Sequence, residues 1–262
     1  LDLGFFQLRY YSLMFVIAFS LGWLLMKKVY KNENQSEEAL DSLFIYMVLS
    51  VLIGARLGHF IFYEPSMFLE DPLSIILPFK FSPSFEFTGF RGLASHGAAI
   101  GVIIAMYLYS KKVIKKPMLW ILDRITIPVA IGGVFVRLGN FFNSEIVGKP
   151  TGSDYGVIFK QLGETFPRHP AQLYEAFGYV FVFIALLYTY WKTDKKDNLG
   201  YMFGLWLVLT WTVRFIAEFY KKSQGGFESA LGVFSTGQWL SIPFVLFGLY
   251  LMFFYKSSKK VS

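Results

Sequence analysis

Residues 118–148 read MLWILDRITIPVAIGGVFVRLGNFFNSEIVG, and this stretch decides which solvent the chain is built for and where its polar chemistry is concentrated. From Met118 to Phe142 it is apolar and long enough to cross about 30 Å of hydrocarbon, which takes roughly 20 helical residues. Its far end then gathers Arg137, Asn140, Asn143 and Glu145 within nine residues, more hydrogen-bonding capacity than lipid contact tolerates. A polar cap on a helix end is one account of that cluster. A site for an anion is the other, because arginine meets phosphate bidentately and the carboxamides can orient it or bind hydroxyls.

Six further apolar runs flank this one, at residues 10–26, 39–62, 95–110, 172–191, 201–219 and 239–255, the run at 95–110 being the shortest. The fold class they imply is all-α: a polytopic integral membrane protein of about seven transmembrane helices. Composition agrees. Of 262 residues, 55% are hydrophobic, 20% aromatic and only 16% charged, with a mean hydropathy of +0.47, too little polar side chain to cover a water-facing surface. There is no cysteine, which excludes a disulfide framework, a thiolate metal site and an enzyme thiol.

The net charge of +7 resolves by position. Lysines recur at every second connection: Lys27, Lys28 and Lys31; Lys111, Lys112, Lys115 and Lys116; Lys192, Lys195 and Lys196; Lys256, Lys259 and Lys260. These hold 13 of the 25 cationic residues. The positive-inside rule then gives an N-terminus outside and a cytoplasmic C-terminus, and no nucleic-acid partner is needed to explain the excess. Before the first span stand only Asp2 and Arg9, with its lysines following, so that span reads as an anchor and not as a cleaved signal. The opposite connections, residues 63–94 and 143–171, are long. The first carries Pro65, Pro72, Pro78 and Pro83 among Phe68, Phe79, Phe81, Phe85, Phe87 and Phe90, which suits irregular backbone at the outer interface. No repeat or linker divides the chain, so residues 1–262 read as a single transmembrane domain with these two outer-face segments.

Four arginines lie in or at the ends of spans: Arg56, Arg124, Arg137 and Arg214. Each costs about 2.5–3.5 kcal/mol at a helix centre and needs a partner, a cavity or a path to the interface. Arg124 adjoins Asp123 near a cytoplasmic end and can snorkel. Arg214 precedes Glu218 by one helical turn, the spacing of an ion pair, either structural or holding a cation for an anionic ligand. Arg56 lies between Gly54 and Gly58, whose spacing lets another helix approach closely, and reads as structural or functional. The histidines, His59, His96 and His169, lack metal-ligand spacing, so no metal is expected. His96 opens a small-residue helix start. Arg168-His169-Pro170 precedes the fifth span, where Pro170 suits the first helical turn and exposed N–H groups favour an anion.

Taken in order, these segments resemble the phosphatidylglycerol:prolipoprotein diacylglyceryl transferases of bacterial membranes over nearly the whole chain. The most specific element is Arg137-x-x-Asn140-Phe141-x-Asn143-x-Glu145-x-x-Gly148, supported by Arg168-His169-Pro170-x-Gln172-Leu173-Tyr174-Glu175. Weaker support comes from Gly54 to Gly58, Arg214-Phe215-x-x-Glu218-Phe219, Arg9-Tyr10-Tyr11 and Gly237-Gln238-x-Leu240-Ser241-x-Pro243. Departures from the family pattern are Val136 and Ala98 for glycines, Thr210 for a tyrosine and Lys221 for an arginine.

The resemblance implies an enzyme of the bacterial cytoplasmic (inner) membrane, with its active site toward the outer face and no cofactor. It moves the diacylglyceryl group of phosphatidylglycerol to the lipobox cysteine thiol in a prolipoprotein signal region and releases glycerol phosphate. It further implies that Arg137 and Arg214 hold the lipid phosphate and that Asn140 and Asn143, with Gly148 and Tyr11, position the headgroup. Glu145 and Glu218 would hold the arginines, and His96 or His169 would take the thiol proton. The alternative is a transporter or lipid-translocating protein using intramembrane arginines, which would favour symmetric halves that the sequence lacks. His96→Gln and His169→Gln are expected to separate in an assay of glycerol phosphate release from phosphatidylglycerol and a lipobox peptide. Full rate in both variants would exclude a side-chain histidine as the base.

Overall fold

The computed structural model describes residues 10–75, 77, 79–81, 84–87, 94–222 and 234–255. Among the residues named above, Asp2, Arg9, Pro78, Pro83, Phe90, Lys256, Lys259 and Lys260 lie outside these, as does the side chain of Tyr11. The long helices are α1 (Tyr10–Asn32), α2 (Glu37–Tyr63), α4 (Ser95–Tyr109), α5 (Met118–Phe142), α6 (Ala171–Lys192), α7 (Tyr201–Ala217) and α8 (Thr236–Phe253), with a four-residue α3 (Met67–Glu70) between α2 and α4. Among the described residues six helical segments are long and apolar enough to span, and α7 is a shorter apolar helix of 17 residues. The protein is thus a multi-pass membrane protein of about seven helices. The shortest span is α7, not the one at 95–110. That rod continues past Tyr109 as a π-helical turn, Ser110–Ile114, and stops at Lys115, whose φ of 53° is left-handed.

Contacts fall into two compact units, Tyr30–Ile121 and Leu1–Val29 with Leu122–Ser262. In the first, α2 and α4 meet backbone to backbone. A Cβ on Gly58 would stand 2.6 Å from Gly97 Cα, and one on Gly101 would stand 3.2 Å from Gly54 Cα, so only glycine permits this approach. Arg56, 4% exposed, serves the fold here: its guanidinium donates to the carbonyls of Ile75 (3.0 Å), Ser74 and Leu77 (3.3 Å) and lies over the Phe60 ring. The carbonyls belong to a 3-10 turn, Pro72–Ile75, and its continuation. The segment after it forms a two-residue antiparallel pair, β1 (Phe79–Lys80) and β2 (Glu86–Phe87), over which Phe79 and Phe85 stack at 5.3 Å.

In the other unit the core runs along one face of each helix: Ile127, Ala130 and Val134 on α5, and Tyr179, Val182, Leu186 and Tyr190 on α6, closed by Val29 and Met202. These recur at three- and four-residue spacing, as one side of a helix requires. The opposite side of α6 is equally apolar, with Phe177, Phe181, Ile184 and Tyr188 all exposed, a stripe that only hydrocarbon solvates comfortably. Lysines at helix ends rest on aromatic rings, Lys195 over Tyr201 and Lys196 over Tyr190, a pairing suited to the headgroup layer. Helices α7 and α8 pack through Gly204 and Gly248, with Trp211 stacked on Phe244 at 4.2 Å.

The start of α7 is fixed by a carboxylate. Asp123, fully buried on α5, accepts from the amides of Gly200 (2.7 Å) and Phe203 (2.8 Å). A negative charge there satisfies orphan helix donors and opposes the helix dipole favourably. Arg124 is buried beside it, 4% exposed, not extended toward the interface. Asp123→Ala should therefore cost roughly 2–4 kcal/mol, two charge-assisted bonds' worth, and lower the thermal midpoint of the detergent-solubilised protein. An unchanged midpoint would show that α7 starts without this anchor.

Candidate active site

The site grows out of the last turn of α5. Arg137 and Asn140 stand three residues apart on one helix face, and Arg137 Nη1 donates to Asn140 Oδ1 at 3.2 Å. After Phe142 the chain reverses through Ser144 and Ile146, both at φ 55°. The left-handed region is sparsely populated for a β-branched residue and costs on the order of 1–3 kcal/mol. The strain is held by bonds. Glu145 N donates to Asn140 O (2.8 Å), its carboxylate accepts from Asn140 Nδ2 (2.9 Å) and Asn143 Nδ2 (3.2 Å), and Gln172 Nε2 donates to its carbonyl at 2.6 Å. Glu145 therefore holds the carboxamides, and one of these holds Arg137.

The direct counter-ion of Arg137 is Glu175, one turn into α6 and fully buried. Its Oε2 lies 2.9 Å from Arg137 Nε as an ion pair without hydrogen-bond alignment. Its Oε1 accepts from Lys221 Nζ at 3.0 Å. The same ammonium donates to Glu218 Oε1 at 2.9 Å, and Glu218 Oε2 accepts from Ser235 Oγ at 3.2 Å. Ser235 caps α8 in a reciprocal box with Gln238, so the Glu218 carboxylate sits at a helix N-terminus. A Cβ on Gly237 would fall inside that carboxylate.

The Arg214–Glu218 pair suggested by spacing does not form among the described residues. Glu218 follows the last residue of α7 and is turned to Lys221 and Ser235. Arginine four residues before glutamate is also the weaker orientation for a helical pair. Arg214 instead lies over the Trp211 ring at 5.1 Å, with its Nε buried and without a hydrogen-bond partner. Tyr179 stands near enough to feel the charges of Glu175, Arg137 and Arg214.

Beside Arg137 opens a cavity of about 360 Å³. Val129, Ala130, Val136 and Trp206 make its apolar wall, while Arg137, Tyr179 and Thr210 bring polar groups to it. The Thr210 hydroxyl has no hydrogen-bond partner. Thr210 precedes Arg214 by one turn on α7, so the two share a face. A largely apolar slot with the Arg137 guanidinium and the Tyr179 and Thr210 side chains in its wall is a form that a lipid with an anionic headgroup would fit.

His169 leads into α6, its Nδ1 3.2 Å from the Tyr174 hydroxyl and its ring against Tyr155, Tyr174 and Tyr220. Gly148 N donates to its carbonyl at 3.1 Å. A Cβ on Gly148 would stand 2.8 Å from His169 Cβ and 2.9 Å from Tyr220 O, so this glycine serves close approach. Arg168 is committed elsewhere. It grips Glu164 through two bonds of 2.5 Å and donates to Gly148 O at 3.1 Å, which draws the Glu164 carboxyl below its ordinary range. Pro170 is the residue before α6, not its first turn. His96 belongs to the other unit, as the exposed second residue of α4, and Tyr11 lies in α1. Among the described residues no group of three acidic or histidine side chains could hold a metal.

Gln172, Glu175 and Lys221 stand in the quoted segments without a role assigned from the sequence, and Ser235 is a participant that sequence reasoning missed. A signal for Glu175 existed, since a carboxylate inside an apolar run demands a partner as much as an arginine does.

The profile of the prolipoprotein diacylglyceryl transferase family matches residues 1–254. The chain is 41% identical over 252 residues to the phosphatidylglycerol–prolipoprotein diacylglyceryl transferase of Tolumonas auensis, covering 96% of this chain and 93% of that protein. To the like-named protein of Bacteroides fragilis it is 41% identical over 257 residues, covering 97% and 92%. To that of Chloroherpeton thalassium it is 41% identical over 252 residues, covering 96% and 90%.

Two glycines make contrasting tests. Gly148→Ala should lower the thermal midpoint by several degrees, about 1–3 kcal/mol for overpacking, whereas a Cβ on Gly132 meets open space and Gly132→Ala should leave the midpoint unchanged. Equal midpoints for the two variants would contradict the packing described at Gly148.

Proposed function

The chain belongs to the prolipoprotein diacylglyceryl transferase family, and on that premise we propose that the cavity at Arg137, with Arg214 on the adjoining helix face, is where its reaction takes place. The protein transfers the diacylglyceryl group of phosphatidylglycerol to prolipoproteins, the first step of bacterial lipoprotein maturation. The acceptor implied is the lipobox cysteine, and a chain without cysteine agrees with a nucleophilic sulfur brought by the partner.

The thiol must lose its proton to a base, and its sulfur then attacks the glyceryl carbon. A carbon–sulfur bond forms as the carbon–oxygen bond to phosphate breaks, and the bonding electrons depart on the phosphate oxygen of glycerol phosphate. The leaving phosphate gains a negative charge as that bond stretches. Donors aimed at it strengthen along the reaction, which is the differential binding that raises a rate.

Two guanidinium groups carry this assignment: Arg137, braced by Asn140 and Glu175, and Arg214, whose Nε has no partner. Both are assigned to the phosphate. Asn140, Asn143, Gly148 and Tyr11 are assigned to seating the headgroup, Glu145 to holding the carboxamides and Glu218 to the support of the site. His96 and His169 are the candidate bases. The apolar wall from Val129 to Val136 suits the glyceryl and acyl portion.

We place the enzyme in the bacterial cytoplasmic membrane with this site toward the outer face. The support lies in α6, which carries Gln172 and Glu175 at one end and Lys192 at the other, followed by Lys195 and Lys196. Site and lysines are a full span apart, and the lysines favour the cytoplasm.

Arg137→Ala and Arg214→Ala should each lower transfer by about 100-fold or more, the loss typical of a donor to developing charge. The chain should still elute as a folded membrane protein, because Lys221 continues to pair Glu175 when Arg137 is removed. Wild-type mass gain on a lipobox peptide by either variant would remove that arginine from the assignment.

A further inference from the structure

The ammonium of Lys221 is 5% exposed and stands between two carboxylates, 3.0 Å from Glu175 Oε1 and 2.9 Å from Glu218 Oε1. Neither carboxylate is its alone. Glu175 turns its other oxygen to Arg137, and Glu218 turns its other oxygen to Ser235 at the start of α8. Two cations and two anions therefore alternate along Arg137, Glu175, Lys221 and Glu218, the first three buried and Glu218 partly exposed, with formal charge balanced. The backbone holds Lys221 in this place. Residues 148 and 221 form a β-bridge, Lys149 N donates to Tyr220 O at 2.8 Å, and Lys222 N donates to Val147 O at 3.2 Å.

Balance matters because the phosphate assigned to Arg137 arrives with a charge of the same sign as Glu175. A carboxylate given wholly to Arg137 would neutralise it and repel the incoming anion. With Lys221 drawing on the same carboxylate, part of the Arg137 charge is left for the phosphate. Glu218 secures the ammonium from the far side, and its own charge is stabilised by the Ser235 hydroxyl and the α8 N-terminus.

We propose that Lys221 is a positioning residue for the transfer: by sharing Glu175 with Arg137, it keeps Arg137 electrostatically available to the lipid phosphate. This rests on the assignment of Arg137 to that phosphate. Removing the ammonium leaves two carboxylates against one guanidinium where an anion must dock. A unit charge about 10 Å away at an effective dielectric near 20 changes affinity on the order of ten-fold. The effect should fall on the lipid and not on the acceptor peptide, whose reacting group is a thiol. Lysine serving only to tie segments 147–149, 175 and 218–222 together would instead lower stability and impair both substrates alike.

The test uses the full chain in detergent, with kcat and KM measured separately for phosphatidylglycerol and for a lipobox peptide, and melting followed in parallel. Lys221→Met should raise KM for the lipid about ten-fold and leave KM for the peptide within about two-fold. Lys221→Arg should return the lipid KM to near wild type. The charge-balanced double variant Lys221→Met/Glu175→Gln should recover most of the lipid KM without recovering melting. A wild-type lipid KM in Lys221→Met, or a folded double variant no better than the single one, overturns the proposal. If Lys221→Met does not fold, the double variant decides against wild type: a lipid KM near wild type supports the proposal, and a ten-fold increase overturns it. Arg137→Ala measured alongside separates the two readings, since a wild-type kcat/KM for the lipid there removes the phosphate assignment whatever Lys221 does.

Discussion

A carboxylate with no exposure to solvent cannot stand alone in a membrane protein, and the arrangement around Glu175 follows from that constraint. The charge has to be matched, and α6 matches it on two sides, with Arg137 from α5 and Lys221 from the segment after α7. Each cation in turn fixes something else. Arg137 orders Asn140, and Asn140 receives the Glu145 turn. Lys221 orders Glu218, and Glu218 meets the cap of α8. Buried ion pairs contribute little net stability against apolar replacements, but losing one partner is severe. This chain of charges also fixes geometry: four separate segments acquire one set of relative positions near the cavity.

The surrounding structure is arranged to leave those positions undisturbed. Glycine is used where backbones or a carboxylate must come close, at Gly148 against His169 and at Gly237 against Glu218. The left-handed Ile146 is tolerated because Gln172 and Asn140 hold the turn on both sides. Asp123 plays a matching part at the other end of α5, where it sets the start of α7 and with it the register of Trp206 and Thr210 along the cavity, with Arg214 one turn further on.

How much of this was legible in the sequence depends on the range of the interaction. Spans are set by length and apolar content, which are local, and α1, α2, α5, α6 and α8 follow from them directly. The π-helical continuation to Ile114 was not legible, because lysines at Lys111 and Lys112 read as the end of a span, whereas long side chains let a helix run on into the headgroup layer. Arg137, Asn140, Asn143 and Glu145 were visible as a cluster because the chain itself brings them together. The partner of Glu218 was not. Lys221 is nearer to Glu218 in sequence than Arg214 is, but Glu218 and Lys221 both follow the end of α7, where helical spacing no longer orders side chains, and the cap that also holds Glu218 arrives with the next helix. Glu175 stands in the sequence as the last letter of the Arg168–Glu175 segment, but its pairing with Arg137 and Lys221 depends on contacts between separate helices.

The brevity of α7 bears on the bilayer itself. At 17 residues it is about 25 Å long, against about 30 Å of hydrocarbon. The lipid beside it must thin, or water must descend to its end. Arg214 stands in the last turn of this helix, so on the proposed reading thinning of the leaflet beside α7 would bring headgroups toward its level. For the phosphate assigned to Arg214 in the proposed reaction, such thinning would shorten the distance a headgroup has to move below the surrounding surface.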